Sequence, residues 1–296
     1  MQQNTAQAQA PFLVLIGMAA LGLGDNLLLF LIETGSLWQF HLLRGALVVA
    51  GFCAIAAAGF GTLRPQRPWA VLARSLVIAL ALVIYFGCLS IMPIGVVVAG
   101  FFTAPLFIVL ISVIFQGMRV GKYRWGAVIV GFAGTLLVIQ PDPAALDPVM
   151  FLPVLGGFFY AVGAVATRAW CTGEDTVALS VGFFAMLTLA GAIGCLLLPA
   201  SGSGAEGFTT RGWMPLDLAS FGWIAAQAVG ALIGIFCIFR GYQVGEASYV
   251  AVFEYALLVF ASFWAYVIWG QTVTPLALVG MLLIAGAGVV IARRSE

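Results

Sequence analysis

The sequence predicts an all-α polytopic membrane protein, ten transmembrane helices arranged as two inverted five-helix repeats. Three observations carry that expectation. Of 296 residues, 63% are apolar and 8% charged, whereas a soluble domain carries roughly 25% charged residues. The mean hydropathy of +1.14 is gathered into successive apolar runs of the length needed to cross ~30 Å of hydrocarbon. The two halves also align with each other, and each holds an odd number of spans.

Ten spans can be drawn, at 11–32, 38–60, 70–91, 94–116, 125–140, 150–170, 177–198, 218–239, 247–269 and 275–292. The first is read as a retained span, because the polar start 1–10 has no Lys or Arg and so lacks the basic region of a cleavable signal. Pro11, Pro93 and Pro275 stand in first turns, where a missing N–H costs little, and Pro141 and Pro199 follow span ends. Most connections are short. The exceptions are 61–69 and the Ser/Gly-rich 199–217. The fifth span is the shortest.

Charge sets the orientation. With a cytoplasmic N-terminus, the inner side collects Arg64, Arg67, Arg74, Arg119, Lys122, Arg124, Arg168, Arg240, Arg293 and Arg294, while Arg211 falls outside and Arg44 within a span. The excess of basic residues then places both termini in the cytoplasm of an inner (plasma) membrane. A net charge of +1 with no basic groove excludes nucleic acid as a partner.

The repeat is legible as residues. Segment 94–107 lies against 244–257 with Gly95 over Gly245, and Gly126 and Gly134 have the spacing of Gly280 and Gly288. The repeats are bounded at 11–140 and 150–292. Five spans per copy forces the second to enter from the opposite side, an arrangement used for alternating access. Small-residue spacing also serves ordinary helix packing.

The stretches 90–95, Ser-Ile-Met-Pro-Ile-Gly, leading to 102–106, Phe-Thr-Ala-Pro-Leu, and 241–248, Gly-Tyr-Gln-Val-Gly-Glu-Ala-Ser, leading to 253–255, Phe-Glu-Tyr, resemble the EamA-type repeats of the drug/metabolite transporter superfamily. The likeness covers nearly the whole chain. It implies a secondary carrier of amino acids, metabolites, vitamins or organic cations. Its cavity would be lined by the first, third, fourth, sixth, eighth and ninth helices. The last helix of each half would pack at the periphery or in a homodimer. The family often carries Glu after the Gly that ends its fourth and ninth helices; here Met118 and Gln271 stand there.

An ionisable group in hydrocarbon costs ~2.5–3.5 kcal/mol on insertion scales, so each needs a partner or a function. Asp25 and Arg44 fall at nearly matching depths, ~12 Å and ~9 Å from the outer side, and are read either as a buried pair fixing two helices or as coupling charges. His41 reads as an interfacial or packing residue. Glu246 reads as an edge residue paired with Arg240. Glu254 differs: it lies ~10 Å into the ninth span with no basic residue on its own helix, and its repeat counterpart is Ala104. A lone carboxyl there suits a proton, a cation or a cationic substrate.

Aromatic residues are abundant, with 23 Phe, 8 Trp and 7 Tyr, and most must face lipid or pack. Tyr85, Phe102, Tyr160, Trp223 and Tyr255 fall on the helices that the resemblance places around the cavity. An aromatic box with one carboxylate suits an ammonium or a planar ring. Asn26, Thr103 and Gln227 add hydrogen-bonding capacity for a zwitterion. Pro105 predicts a kink that its counterpart Tyr255 would lack, hence asymmetric gating.

Cys53, Cys88, Cys171, Cys195 and Cys237 read as reduced packing residues, and a sole histidine gives no metal site. No nucleophile motif or cofactor fingerprint occurs, so no cofactor is expected and enzymatic chemistry has little to work with. The expected function is transport of a small organic metabolite (amino acid, amine or related compound) through the lipid bilayer by alternating access, with protons as an optional coupling ion. Uptake of a vitamin or other planar ring compound is the alternative. A membrane enzyme or a channel is remote, since rings of like charge and filter loops are missing from the sequence. A membrane-impermeant thiol reagent should label a cysteine placed at 121 only from the cytoplasmic side and one at 204 only from outside; the reverse pattern overturns the orientation.

Overall fold

A computed structural model of the chain describes residues 2–32, 34–88, 91–92, 94–140, 149, 151–200 and 205–294. Ser90, Pro93, Pro141, the predicted start of the sixth span at 150 and the labelling position 204 lie outside the described residues. Among those described there is no strand, and ten helical spans are long and apolar enough to cross a membrane. The helices are α1 (Gln2–Leu28), α2 (Leu37–Ala57), α3 (Pro68–Cys88), α4 (Ile94–Phe101), α5 (Ala104–Ile114), α6 (Lys122–Ile139), α7 (Phe151–Ala169), α8 (Thr176–Leu197), α9 (Leu218–Val244), α10 (Ala247–Glu254), α11 (Ala256–Trp269) and α12 (Pro275–Arg294). The pairs α4–α5 and α10–α11 each make one broken span.

Caps define several starts, each a side-chain oxygen taking up an N–H that the first turn leaves open. Ser36 accepts from the Trp38 N–H at 3.2 Å, Asp175 from that of Val177 at 2.8 Å and Asp217 from that of Ser220 at 2.8 Å. The bonds from Ser220 also hold the exposed Asp217 carboxyl below its ordinary range. Pro275 opens α12 as expected, whereas Pro11 lies inside α1, because that helix begins well before the apolar stretch.

The expectation of a kink at only one of the two equivalent spans is corrected: both are broken. At the first break Pro105 cannot donate to the turn before it, and Thr103 Oγ1 donates to the Gly100 carbonyl at 2.6 Å. At the second, no proline is present. There Leu258 N–H bonds the Tyr255 carbonyl at 3.2 Å, a tightened turn. The Tyr255 ring is buried over Gly131 and stacks on Phe102 with centroids 6.0 Å apart. Tertiary packing accompanies the break here, and a periodicity pattern carries no trace of it.

Helices associate where small residues let backbones approach. α1 packs along α9, α2 along α8, α3 along α7, and α6 along α12. At the last of these contacts a Cβ on Gly134 would meet the Gly280 carbonyl oxygen at 2.7 Å. Gly117 and Gly270, the glycines that precede Met118 and Gln271, follow α5 and α11 with φ of 63° and 65°, a left-handed conformation that glycine adopts without strain.

Polar bonds close both ends of the bundle. At one end Glu174 accepts the N–H groups of Gln66 (2.8 Å) and Arg67 (2.5 Å), Asp175 accepts that of Thr62 (3.0 Å), and Gln243 donates to the Glu174 carbonyl (2.6 Å). At the other, Ser36 donates to the Arg211 carbonyl (2.7 Å), Trp38 to that of Thr209 (2.7 Å) and Gln39 to that of Met214 (2.8 Å). The Arg211 guanidinium donates to the Gly35 and Ile32 carbonyls.

Two charge assignments change. Arg74, counted with the inner surface, is fully buried, because α3 starts at Pro68 and carries it more than a full turn into the bundle. Glu246 pairs with Arg124, not with Arg240, and Ser248 bonds the same carboxylate. Gly134→Leu should lower the thermal midpoint in detergent, a cost of about 1–3 kcal/mol for overpacking. Gly126→Leu on the same helix, where no atom lies within 4 Å of the added carbon, should leave the midpoint nearly unchanged.

Candidate functional site

The helices enclose a central cavity of about 120 Å³, room for several waters or one small organic group. Its walls come from α1 to α5 and α7 to α11, while α6 and α12 contribute nothing. Two helices beyond the expected set, α2 and α8, supply Arg44, Phe183 and Phe184. The wall is mostly aromatic and aliphatic, and its ionisable groups are Asp25, Arg44, Tyr85, Tyr160 and Glu254.

Glu254 ends α10 at the helix break and faces the cavity, 5% exposed. Tyr160 of α7 donates to its Oε1 at 2.5 Å. Tyr242 also faces the carboxyl without meeting hydrogen-bond geometry, so its buried hydroxyl has no partner. No described basic residue forms an ion pair with Glu254; the one ion pair among the described residues is Arg124 with Glu246.

Arg44 sits elsewhere on the wall. Its Nη1 donates to Gln227 Oε1 at 3.1 Å, and Nη2 lies 3.5 Å from His41 Nδ1. The guanidinium carbon lies 4.6 Å from the Phe40 ring centre and 5.7 Å from that of Phe86, and Nε has no partner. Asp25 is within Coulombic reach of Arg44, yet no direct ion pair joins them. His41 is a packing residue, fully buried and edge-on to Phe86 at 5.1 Å.

A ladder of rings connects the two polar regions. Phe86 meets Tyr85 at 5.2 Å, Tyr85 meets Phe101 at 4.8 Å, and Phe101 meets Tyr160 at 5.5 Å between centroids. Such tilted pairs are favourable contacts for aromatic quadrupoles.

Of the residues singled out in the sequence, Asp25, Arg44, Tyr85, Phe102, Tyr160, Gln227 and Glu254 meet on this cavity. Four are placed differently. Asn26 Nδ2 bonds the Gly22 and Ala261 carbonyls at 2.9 and 3.0 Å, tying α1 to α11. Thr103 satisfies the Gly100 carbonyl at the helix break. Trp223 stacks on Phe30 at 4.3 Å. Tyr255 turns toward α6, packed over Gly131. Asn26 and Trp223 lie on cavity-forming helices and Thr103 and Tyr255 at the two helix breaks, but none belongs to the cavity wall.

Arg74 was missed as a buried charge. Its Nε donates to Thr167 Oγ1 at 2.8 Å, Nη1 to the Leu179 carbonyl at 3.1 Å, and its guanidinium carbon sits 3.6 Å from the centre of the Phe239 ring, itself on the cavity wall. Its position inside the apolar run that starts at Pro68 was the available signal.

No family model matches the chain. A riboflavin transporter of Rhizobium johnstonii is 30% identical over 130 residues, 44% of this chain and 43% of that protein's own length. A pseudopaline exporter of Pseudomonas aeruginosa is 25% identical over 76% of this chain and 75% of its own, and an S-adenosylmethionine uptake transporter of Rickettsia bellii is 22% identical over 77% and 74%. A solved crystal structure superposes with a TM-score of 0.76 at 19% identity, covering 98% of this chain and 99% of its own, which shows the fold. These named relatives are transporters or exporters and none is an enzyme. With ten apolar spans around a cavity, the class is a small-molecule membrane transporter.

Arg74→Met and Arg74→Lys should both lower thermal stability in detergent, by about 1.5–3 kcal/mol for the lost charge-assisted bonds, because an ammonium cannot span the sites of a planar fork. Arg119→Met, at an exposed position, is the control expected to change nothing.

Proposed function

We propose that the chain is a secondary active carrier of a small organic metabolite, an amino acid, amine or related compound. It works by alternating access between inverted repeats 11–140 and 150–292 and resembles EamA-type drug/metabolite transporters. The membrane is the inner (plasma) membrane, with both termini cytoplasmic. Glu254 is the group that takes up a proton or meets a cationic part of the substrate, and Tyr160 orients its carboxyl.

The observation that carries this reading is Glu254 itself, a carboxyl on the cavity wall at a helix break, held by one tyrosine and no cation. A carboxyl in hydrocarbon without a counter-ion persists when it is protonated, hydrated or met by a ligand. All three states are consistent with transport. The repeat reading is supported by mirrored packing: α1 runs along α9 as α7 runs along α3, while α2 with α8 and α6 with α12 pair equivalent helices. The left-handed glycines at 117 and 270 end equivalent spans. Bonds between the halves close both ends, as an occluded carrier requires.

A second reading is uptake of a vitamin or other planar ring compound. The ring ladder from Phe86 to Tyr160 favours it, and the riboflavin transporter of Rhizobium johnstonii is among the relatives. Flux of labelled amino acids, amines and riboflavin into proteoliposomes, with and without a proton gradient, separates the readings. Glu254→Gln keeps shape and hydrogen bonding but removes titration. It should abolish the response to a proton gradient, or the flux of a cationic substrate, while insertion and thermal midpoint stay nearly unchanged. Unaltered flux and unaltered pH dependence in that variant would sink the role given to Glu254.

A further inference from the structure

We propose that the α8–α9 connection is a gate over the outer end of the cavity, with Phe208 as its plug and Arg211 as its latch, and that Glu174 latches the pseudo-equivalent gate at the inner end. This rests on reading the chain as an alternating-access carrier, and it names the side chains that close each end.

The outer gate is built as a hook. Gly212 N–H donates to the Pro199 carbonyl at 2.8 Å, and the N–H groups of Thr210 and Arg211 both reach the Gly207 carbonyl, at 3.1 and 3.0 Å. A Cβ at position 212 would meet the Leu198 carbonyl oxygen at 2.4 Å, and one at 207 would meet Arg211 Nη1 at 3.2 Å. The base of the hook is thus pressed onto the end of α8 and its tip curls over its own arginine. That tip carries Phe208, 1% exposed, into one buried cluster with Leu28, Phe40, Phe86 and Ile224. Phe86 belongs also to the cavity wall, and Phe40 lies against the Arg44 guanidinium there. Phe208 is therefore one layer of side chains outside the cavity.

Arg211 ties this hook to the stretch between α1 and α2. Its Nε donates to the Gly35 carbonyl at 2.6 Å and Nη2 to that of Ile32 at 2.9 Å. Ser36, Trp38 and Gln39 donate back, to the carbonyls of Arg211, Thr209 and Met214. Each of these bonds runs from a side chain to a carbonyl, and water at the membrane surface takes over such bonds once the hook lifts. α1 carries Asp25 on the cavity wall and packs along α9 and α11. Lifting the hook therefore removes the plug and also releases the end of a wall helix.

The hook has a counterpart at the inner end. In two inverted five-span copies the α1–α2 connection corresponds to α7–α8, and α8–α9 corresponds to α2–α3. The connections that meet are the corresponding ones: Ile32, Gly35 and Ser36 bond Arg211 at one end, and Glu174 and Asp175 bond Gln66, Arg67 and Thr62 at the other. Their polarity is exchanged. Outside, a guanidinium donates to backbone carbonyls; inside, the Glu174 carboxylate accepts backbone N–H groups. A carrier needs one closure at each end that opens while the other holds, and a shared layout with opposite chemistry meets that need.

The test places a reporter on the cavity wall, Ala231→Cys. Its modification by a membrane-impermeant methanethiosulfonate reagent is followed by peptide mass in right-side-out and in inverted vesicles. In right-side-out vesicles, Phe208→Ala and Arg211→Gln should each speed modification about tenfold or more, the shift in an opening equilibrium expected when the closed state loses one buried ring or its charge-assisted bonds. In inverted vesicles, Glu174→Ala should speed it and the two outer variants should not. Trp213→Ala, on the same connection but 45% exposed, is the control expected to change nothing. Modification from outside that ignores both outer variants overturns the outer gate, and modification from inside that ignores Glu174→Ala overturns its counterpart. Arg211→Gln decides where Phe208→Ala fails to insert. Outer variants that act only in inverted vesicles, with Glu174→Ala acting only in right-side-out ones, support the gates and overturn the orientation. Flux in proteoliposomes keeps the two levels apart: gate-dependent modification with no flux of any compound leaves the gates and removes the carrier, whereas flux with modification indifferent to all three variants leaves the carrier and removes the gates.

Discussion

A peptide group left open in hydrocarbon costs several kcal/mol because no water can reach it. That constraint organises this molecule more than any single contact. Continuous helices satisfy it by themselves, so eight of the spans run without interruption. The two that do not, α4–α5 and α10–α11, interrupt the ladder with local bonds at each break. Thr103 covers the Gly100 carbonyl, and the turn at Tyr255 tightens onto Leu258. Both broken spans contribute to the cavity wall, which is where irregular backbone at membrane depth is tolerated.

The same constraint sorts the buried charges. Arg74 is tied to a hydroxyl, a carbonyl and a ring face, and this arrangement fixes α3 against α7, α8 and α9. Glu254 and Arg44 have fewer partners than they have hydrogen-bonding capacity, and both stand on the cavity. Arg74 Nη2 and Arg44 Nε are both buried without a partner, so what separates the groups is place: Glu254 and Arg44 stand on the cavity wall and Arg74 does not.

Closure of the bundle is polar at its ends and apolar at its sides. The bonds from Thr62, Gln66 and Arg67 to the Asp175 and Glu174 carboxylates at one end, and from the Ser36, Trp38 and Gln39 side chains to the carbonyls of Arg211, Thr209 and Met214 at the other, join residues before 140 to residues after 150. At a membrane surface such bonds exchange with water, each contributing about 0.5–1.5 kcal/mol between neutral groups and about 1.5–3 kcal/mol where a carboxylate accepts. The close backbone contact of α6 with α12 lies within lipid, where separation has no such compensation. The ends are thus held by bonds that water can replace, and the α6–α12 contact by close apolar packing.

The sequence by itself determined the class of structure, because the length and spacing of apolar runs are set by bilayer thickness and need no partner to be read. The predicted spans agree with the observed ones to within a few residues at most ends, and the eighth runs on to Val244. The isolation of Glu254 was legible for the same reason, as a carboxyl in an apolar run stands out in one dimension. What only the tertiary structure decided was direction around each helix axis. Periodicity here is weak, since lipid and core are both apolar, so nothing in the pattern told that Tyr255, Asn26, Thr103 and Trp223 face away from the cavity while Phe86, Phe101, Phe183 and Phe184 face it. Nor could it set Gln227 beside Arg44, 183 residues apart in the chain. Those placements follow from which helices pack together and how closely their glycines let them approach.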